Sequence, residues 1–178
     1  MQTSASRMTA PSAQPFSTSI GSANTTLTRG EYKARPAHQD DIEAIAVSMR
    51  PADRREIKLL SGQEPKQALT ECFEKSDVCR TLLYQDTPLI MYGTSRFDDE
   101  TGIVWGLGSD EIDKHTMPFL RVSRAEVELL QGDYDLIFNF VHTENTLHLK
   151  WVEFVDFDVF DPIEHPSGQM VRPIQRRK

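Results

Sequence analysis

"NTLHLKWVEFVDF", residues 145–157, is the stretch on which the fold turns. Asn145 belongs to the residue types that cap helices, because its side-chain oxygen accepts a backbone N–H from the first turn. Behind it runs a short amphipathic helix that passes straight into a strand at "FDVFD". Ahead of it, "YDLIFNFV" (134–141) is an almost unbroken apolar run, as expected of a strand covered on both faces. Strand, helix and strand in close succession form an α/β pattern.

The chain upstream keeps that pattern. Residues Thr116 to Gln131 read as a helix, with Ser123 and Glu126 spaced as a capping box that restarts it after Arg121. Before it come three β-rich runs, "VCRTLLYQ", "PLIMYGTSRF" and "TGIVWGLGS", separated only by Asp86-Thr87 and by the acidic turn Asp98 to Glu100. Such tight separations predict an antiparallel meander. Three helices precede the meander. Asp40 or Asp41 caps the first, which carries Ile42, Ile45 and Ala46 on one face; Pro51 and Gly62 bracket the second; Ala68, Cys72 and Phe73 face a core from the third. Tyr32, Ala34 and Pro36 alternate along an opening strand, and "GQMVRPI" supplies a closing one. The expected fold class is α/β, with a mixed, mostly antiparallel central sheet flanked by helices.

Residues 1–30 stand apart. Rich in Ser, Thr, Ala, Pro and Gly, they hold Arg7 and Arg29 and no acid. They read as a flexible arm, or as an arm that orders against a partner in an assembly. Residues 31–178 read as a single domain, ending in a basic cluster of Arg172, Arg176, Arg177 and Lys178 taken as a short solvated tail. The chain carries −7 overall and the arm two arginines, so the domain carries −9. A surface of that sign repels phosphate backbones, and no nucleic-acid partner is expected. No apolar run approaches the roughly 20 residues of a membrane span. The two cysteines, Cys72 and Cys79, lie in the acidic stretch "ECFEKSDVC", which disfavours thiolate.

His142, Glu144 and His148 form an H-x-E-x-x-x-H cluster, but the spacing fits no helical H-E-x-x-H motif and no cysteine pair follows. They read as surface polar residues around a helix cap at Asn145 or Thr146, and no metal is assigned. "GLGSD" lacks the Gly-x-Ser-x-Gly elbow of a hydrolase nucleophile. Trp151, Phe154, Phe157 and Phe160 fit the helix and strand periods of a core or a contact surface.

The order of elements resembles that of the GNAT-type N-acyltransferases. That family's closing signature runs from an Asn, seven residues on to a Tyr and four more to a Gly-Phe pair; Asn145 and Phe157 stand at the matching positions. "YKARPAHQDDIEAI" is likewise similar to the family's first strand and helix. Together, "MRPADRREI", "GIVWGLGSDEI", "FLRVSRAEVELL" and "NFVHTENTLHLKWVEFVDF" resemble a GNAT-like group of internal virion and acetyltransferase proteins of short-tailed bacteriophages. The resemblance implies a place in the virion, and in the host cytoplasm during infection, with other virion proteins as partners through residues 1–30 and multimers in the assembly.

It also implies a cofactor, acetyl-CoA, held through its pyrophosphate by backbone amides at a glycine-bearing helix start. The matching loop is Ser109 to Met117, which has no Gly and carries Asp110, Glu111 and Asp113 against Lys114 and His115. The family's acid, a Tyr, is replaced by Val152, which transfers no proton. Asp156 replaces the glycine, a milder change because Asp tolerates left-handed backbone. The expectation is therefore a virion-associated structural or interaction protein on a GNAT-like scaffold that has lost acetyl-CoA chemistry, with no cofactor. The alternative is an active acetyl-CoA-dependent N-acetyltransferase modifying a host protein. On that alternative Tyr92 or Tyr134 serves as acid, and Gly106, Leu107, Gly108, Lys114, His115 and Asn145 bind the cofactor.

Overall fold

The structure, a computed structural model, describes residues 24–178. The hairpin β1 (Leu27–Arg29) and β2 (Tyr32–Pro36) opens it, followed by helices α1 (Gln39–Val47), α2 (Pro51–Ser61) and α3 (Pro65–Lys75). The meander β3 (Ser76–Tyr84), β4 (Thr87–Arg96) and β5 (Thr101–Gly108) leads through a 3-10 turn (Asp110–His115) into α4 (Thr116–Gln131). Then come β6 (Leu136–His142), α5 (Thr146–Phe154), β7 (Asp158–Val159), β8 (Ile163–Glu164) and β9 (Met170–Arg177). The strands form one sheet in the order β1-β2-β3-β4-β5-β6-β9-β7, with β8 beside β9. Every pairing is antiparallel except β5 with β6.

Local chemistry sets the element ends. Pro51 and Pro65 occupy first-turn positions, where a missing N–H costs nothing. Gly62 stops α2 in the left-handed region at φ 71° and donates its N–H to Lys58 O. The β3–β4 turn lies one residue earlier than expected, at Gln85 and Asp86 (φ 47° and 65°), a pair of positive values that matches the twist of a two-residue hairpin. Asp156 does adopt left-handed backbone, at φ 66°.

Strand alternation divides the core in two. Leu82, Ile90, Tyr92 and Val104 point toward α4 and α5 and meet Val127, Leu130, Val152 and Phe157. Met91, Trp105 and Leu107 point the other way and meet Ile42, Ile45 and Leu69 from α1 and α3. Gly93 lies where the backbone leaves no room, since a Cβ would stand 2.6 Å from Val78 O and 2.9 Å from the Trp105 indole nitrogen. That indole donates to Ser76 Oγ at 2.8 Å. Gly93→Ala is expected to lose about 1–3 kcal/mol through forced strand separation, read as a lower thermal midpoint.

Four readings change in the structure. The sheet begins inside the stretch taken as the arm, because Leu27 to Arg29 pair with Ala34 to Tyr32; the arm's first 23 residues lie outside the described ones. The capping box at Ser123 and Glu126 does not form. Helix α4 is continuous, the Ser123 hydroxyl donates to Phe119 O, and Glu126 turns inward. The basic cluster is not a tail: the closing strand runs past "GQMVRPI" through Arg176 to Arg177, which pairs with Leu136 of β6. Finally, β6 is covered on one face only, leaving Phe140 36% exposed where two covered faces were expected.

Candidate functional site

The parallel pairing of β5 with β6 runs from Thr101/Leu136 to Ile103/Phe138 and stops. Beyond it the Asn139 side chain donates to Val104 O at 2.6 Å, standing in for the ladder bond that the diverging strands no longer make. A wedge therefore opens between Val104–Gly108 and Asn139–His142, roofed by α4 and α5. Inside it is a narrow apolar cavity of about 40 Å³, with Gly106, Phe119, Trp151 and Val152 in its wall. Trp151 donates to Ser123 Oγ at 3.0 Å and stacks on Phe119 at 5.5 Å, tying α5 to α4 across the wedge.

Beside Ser123 and Asn139, already bonded to Trp151 and Val104, three further polar residues line this largely apolar cavity: Tyr92, Glu126 and His148. Arg80, fully buried on β3, donates to Glu126 at 2.6 and 3.2 Å, and the Tyr92 hydroxyl donates to the same carboxylate at 2.8 Å. Burial, and then the negative charge of Glu126, push the Tyr92 hydroxyl well above its ordinary value. Burial alone would lower Arg80; the hydrogen bond and charge of Glu126, together with Tyr92, outweigh that and hold it more firmly protonated than usual. Tyr92 is thus a fixed donor to Glu126, and Arg80 reaches on to Thr25 O and Ala34 O at 3.0 and 3.4 Å. Tyr134 stands elsewhere, beside Gly102 at the paired end of β5 and β6, with its hydroxyl on Asp77 and pushed up to about 12 by burial and that carboxylate. The two tyrosines do not converge.

The loop after β5 falls where the sequence placed it, but its first amides are already engaged. Gly108 N–H donates to the Asp53 carboxylate at 2.9 Å, Ser109 N–H to Leu89 O at 2.8 Å and Asp110 N–H to Ser48 O at 2.8 Å. Lys114 pairs with Glu111 at 2.7 Å, and His115 Nδ1 lies 2.8 Å from the Tyr32 hydroxyl with its ring on Tyr84. Gly106 has ordinary room for a side chain, its nearest neighbour 3.7 Å from an added Cβ. Leu107 turns to the opposite core, beside Met91 and Ile57. A pyrophosphate needs free amides and positive potential, whereas this loop's first two amides are engaged and three carboxylates stand in it.

A second cluster corrects the surface reading of His142 and His148, which are buried and half-buried around Glu56, a residue that reading did not include. Glu56 of α2 accepts His142 N–H at 2.6 Å and the Asn145 amide at 2.7 Å, while Asn145 Oδ1 caps α5 through His148 N–H at 3.4 Å. His148 Nδ1 lies 3.9 Å from the Glu56 carboxylate, too long for a hydrogen bond, and has no hydrogen-bond partner among the described residues. Burial alone would raise the Glu56 carboxyl; the adjacent His148 ring and the two donors hold it below its usual value. The available signal was helical spacing, since Asp53, Glu56 and Ile57 share one face of α2. Glu144 points away to Arg55 at 2.7 Å, and among the described residues no group of three His, Cys, Asp or Glu is placed to hold a metal ion. Burial pushes the Cys72 and Cys79 thiols up to about 11 and about 12. No described helix is long and apolar enough to cross a membrane.

No protein-family model and no curated protein matches the chain. Solved structures do. A GNAT-family acetyltransferase from Bacillus anthracis superposes with a TM-score of 0.62 at 8% identity, over 86% of this chain and 98% of its own. The ribosomal-protein-S5-alanine acetyltransferase from Vibrio fischeri gives 0.61 at 12% identity, over 86% and 96%. Aminoglycoside acetyltransferase AAC(6')-Ib, in complex with coenzyme A, gives 0.60 at 14% identity, over 83% and 95%. The described chain has the GNAT fold.

Proposed function

We propose that this GNAT-fold chain works as a structural or interaction component, without acetyl-CoA chemistry, in a short-tailed phage particle, with other virion proteins as partners. One observation carries the loss of chemistry: Gly108 at the end of β5, and Ser109 and Asp110, the first residues of the would-be phosphate loop, all spend their N–H groups inside the fold. Val152, 1% exposed at the position of the family's proton donor, supports it. The wedge is bridged by Trp151 and narrowed to about 40 Å³, which is room for a few waters and not for a thioester arm. The particle assignment rests on the sequence resemblance, and the −9 charge of residues 31–178 supports protein partners over nucleic acid.

The test is thermal unfolding with acetyl-CoA from micromolar to millimolar, alongside mass spectrometry of purified particles. A ligand at about 100 times its dissociation constant stabilises by roughly 2.7 kcal/mol, a readily visible rise in midpoint. No rise is expected. A dose-dependent rise that ATP does not reproduce would reinstate the second reading, an N-acetyltransferase acting on a host protein, which the retained β5–β6 wedge favours. Absence from particles would remove the virion role.

A further inference from the structure

The half-covered strand β6 points to a docking surface. Leu136, Phe138 and Phe140 alternate onto the sheet face away from α4 and α5, in register with Arg177, Gln175 and Pro173 of β9. On that face α1 and α3 pack over β3 to β5 and stop there. What remains is an open groove of about 330 Å³ lined by Phe97, Phe138, Phe140, Phe160 and Pro173. Phe97 is 63% exposed and Phe160 44%. Phe138 holds the aromatic group together, edge-on to Phe97 at 5.3 Å and to Phe140 at 6.2 Å. A contiguous apolar patch rimmed by polar residues marks a contact site.

The rim selects the occupant. Asp98, Asp99 and Glu100 follow Phe97 directly, Asp158 pairs with Gln175 of the groove, and Asp161 follows Phe160; all are exposed, and these five acids outnumber the rim's cations, Arg96 before Phe97, Arg172 on Phe160 O and Arg177 opposite Leu136. Two copies meeting face to face would bring these acidic rims together, which costs affinity. The matching partner is a segment without acids that carries apolar anchors and a cation. Residues 1–23 have that composition: no Asp or Glu, Arg7, and Phe16 and Ile20 as anchors. Reach is ample. Five strand spacings separate β1 from β6, about 24 Å, whereas 23 extended residues span up to ~75 Å.

We propose that the Phe97–Phe138–Phe140–Phe160 groove binds residues 1–23 of this chain, from the same molecule or a neighbouring copy. This deepens the interaction reading and rests on it. The test is photo-crosslinking of the full chain carrying Phe140→p-benzoylphenylalanine, with peptide mapping by mass spectrometry. Cross-links into residues 1–23 are expected, and Phe138→Asp in the same chain should abolish them while circular dichroism stays native. Cross-links only to other segments or to a second copy's groove, or none at all, overturn the proposal. The same chain carrying the label at Phe160 repeats the test should the first variant fail to fold. A rise in midpoint with acetyl-CoA would undo the interaction reading without touching the cross-link; a missing cross-link with no such rise would remove only this surface.

Discussion

Arg80→Met is expected to destabilise the protein by about 3–5 kcal/mol, because it strands the Glu126 carboxylate in the core with Tyr92 as its remaining side-chain partner. At about 2–4 °C per kcal/mol for a domain of this size, the thermal midpoint should fall by roughly 6–20 °C. The double variant Arg80→Met with Glu126→Leu should recover most of that loss. A buried ion pair contributes little net stability over a well-packed apolar pair, whereas half of one is costly. Tyr92→Phe added to the double variant removes the last unpaired donor and should recover more. A single-variant loss under about 1 kcal/mol would mean that Glu126 reaches water.

The second large effect is expected at Asp41, the hub between α1 and the sheet. Its carboxylate, 3% exposed, accepts both Arg35 Nη groups at 2.8 and 2.9 Å, His38 N–H at 2.9 Å and the Thr81 hydroxyl at 2.7 Å. Asp41→Ala should cost about 2–4 kcal/mol, since it leaves a capping N–H, a buried hydroxyl and a guanidinium without their acceptor. Burial would raise the Asp41 carboxyl, but Arg35, the His38 amide and Thr81 together hold it below its ordinary value. Its contribution is therefore fully present above pH ~4, where the unfolded chain is ionised, and is lost as pH falls through the depressed folded value. Glu56 titrates in the same direction. Wild-type stability should decline below pH ~4, and Asp41→Asn should flatten part of that decline while lowering the neutral plateau. An acid limb unchanged in Asp41→Asn would assign acid unfolding to other carboxylates.

How much was legible can be argued residue by residue. Ile42, Ile45 and Ala46 announced the buried face of α1, Pro51 and Gly62 the limits of α2, and Asn145 the start of α5, because caps and stripes are local. Position 152 was found by counting from Asn145, and the loop by counting back from β6. Glu126 shows where local reading fails. Its distance from Ser123 fits a capping box, and nothing nearby reveals that Arg80, 46 residues earlier, waits across the core. Glu56 and His142 are 86 residues apart, and no periodicity links them.

The sequence by itself determined the order and type of the main elements from β2 onward, the acidic glycine-free loop and the valine at position 152. Those follow from short-range chemistry, in which each residue's backbone preference and spacing act within a turn or two. Only the tertiary structure decided that the loop's first amides are engaged, that Trp151 bridges the wedge, that Arg176 and Arg177 lie on a strand, and that β6 keeps one face bare. Each depends on which residues distant in the chain meet, and a buried hydrogen bond or an uncovered face is a property of that meeting.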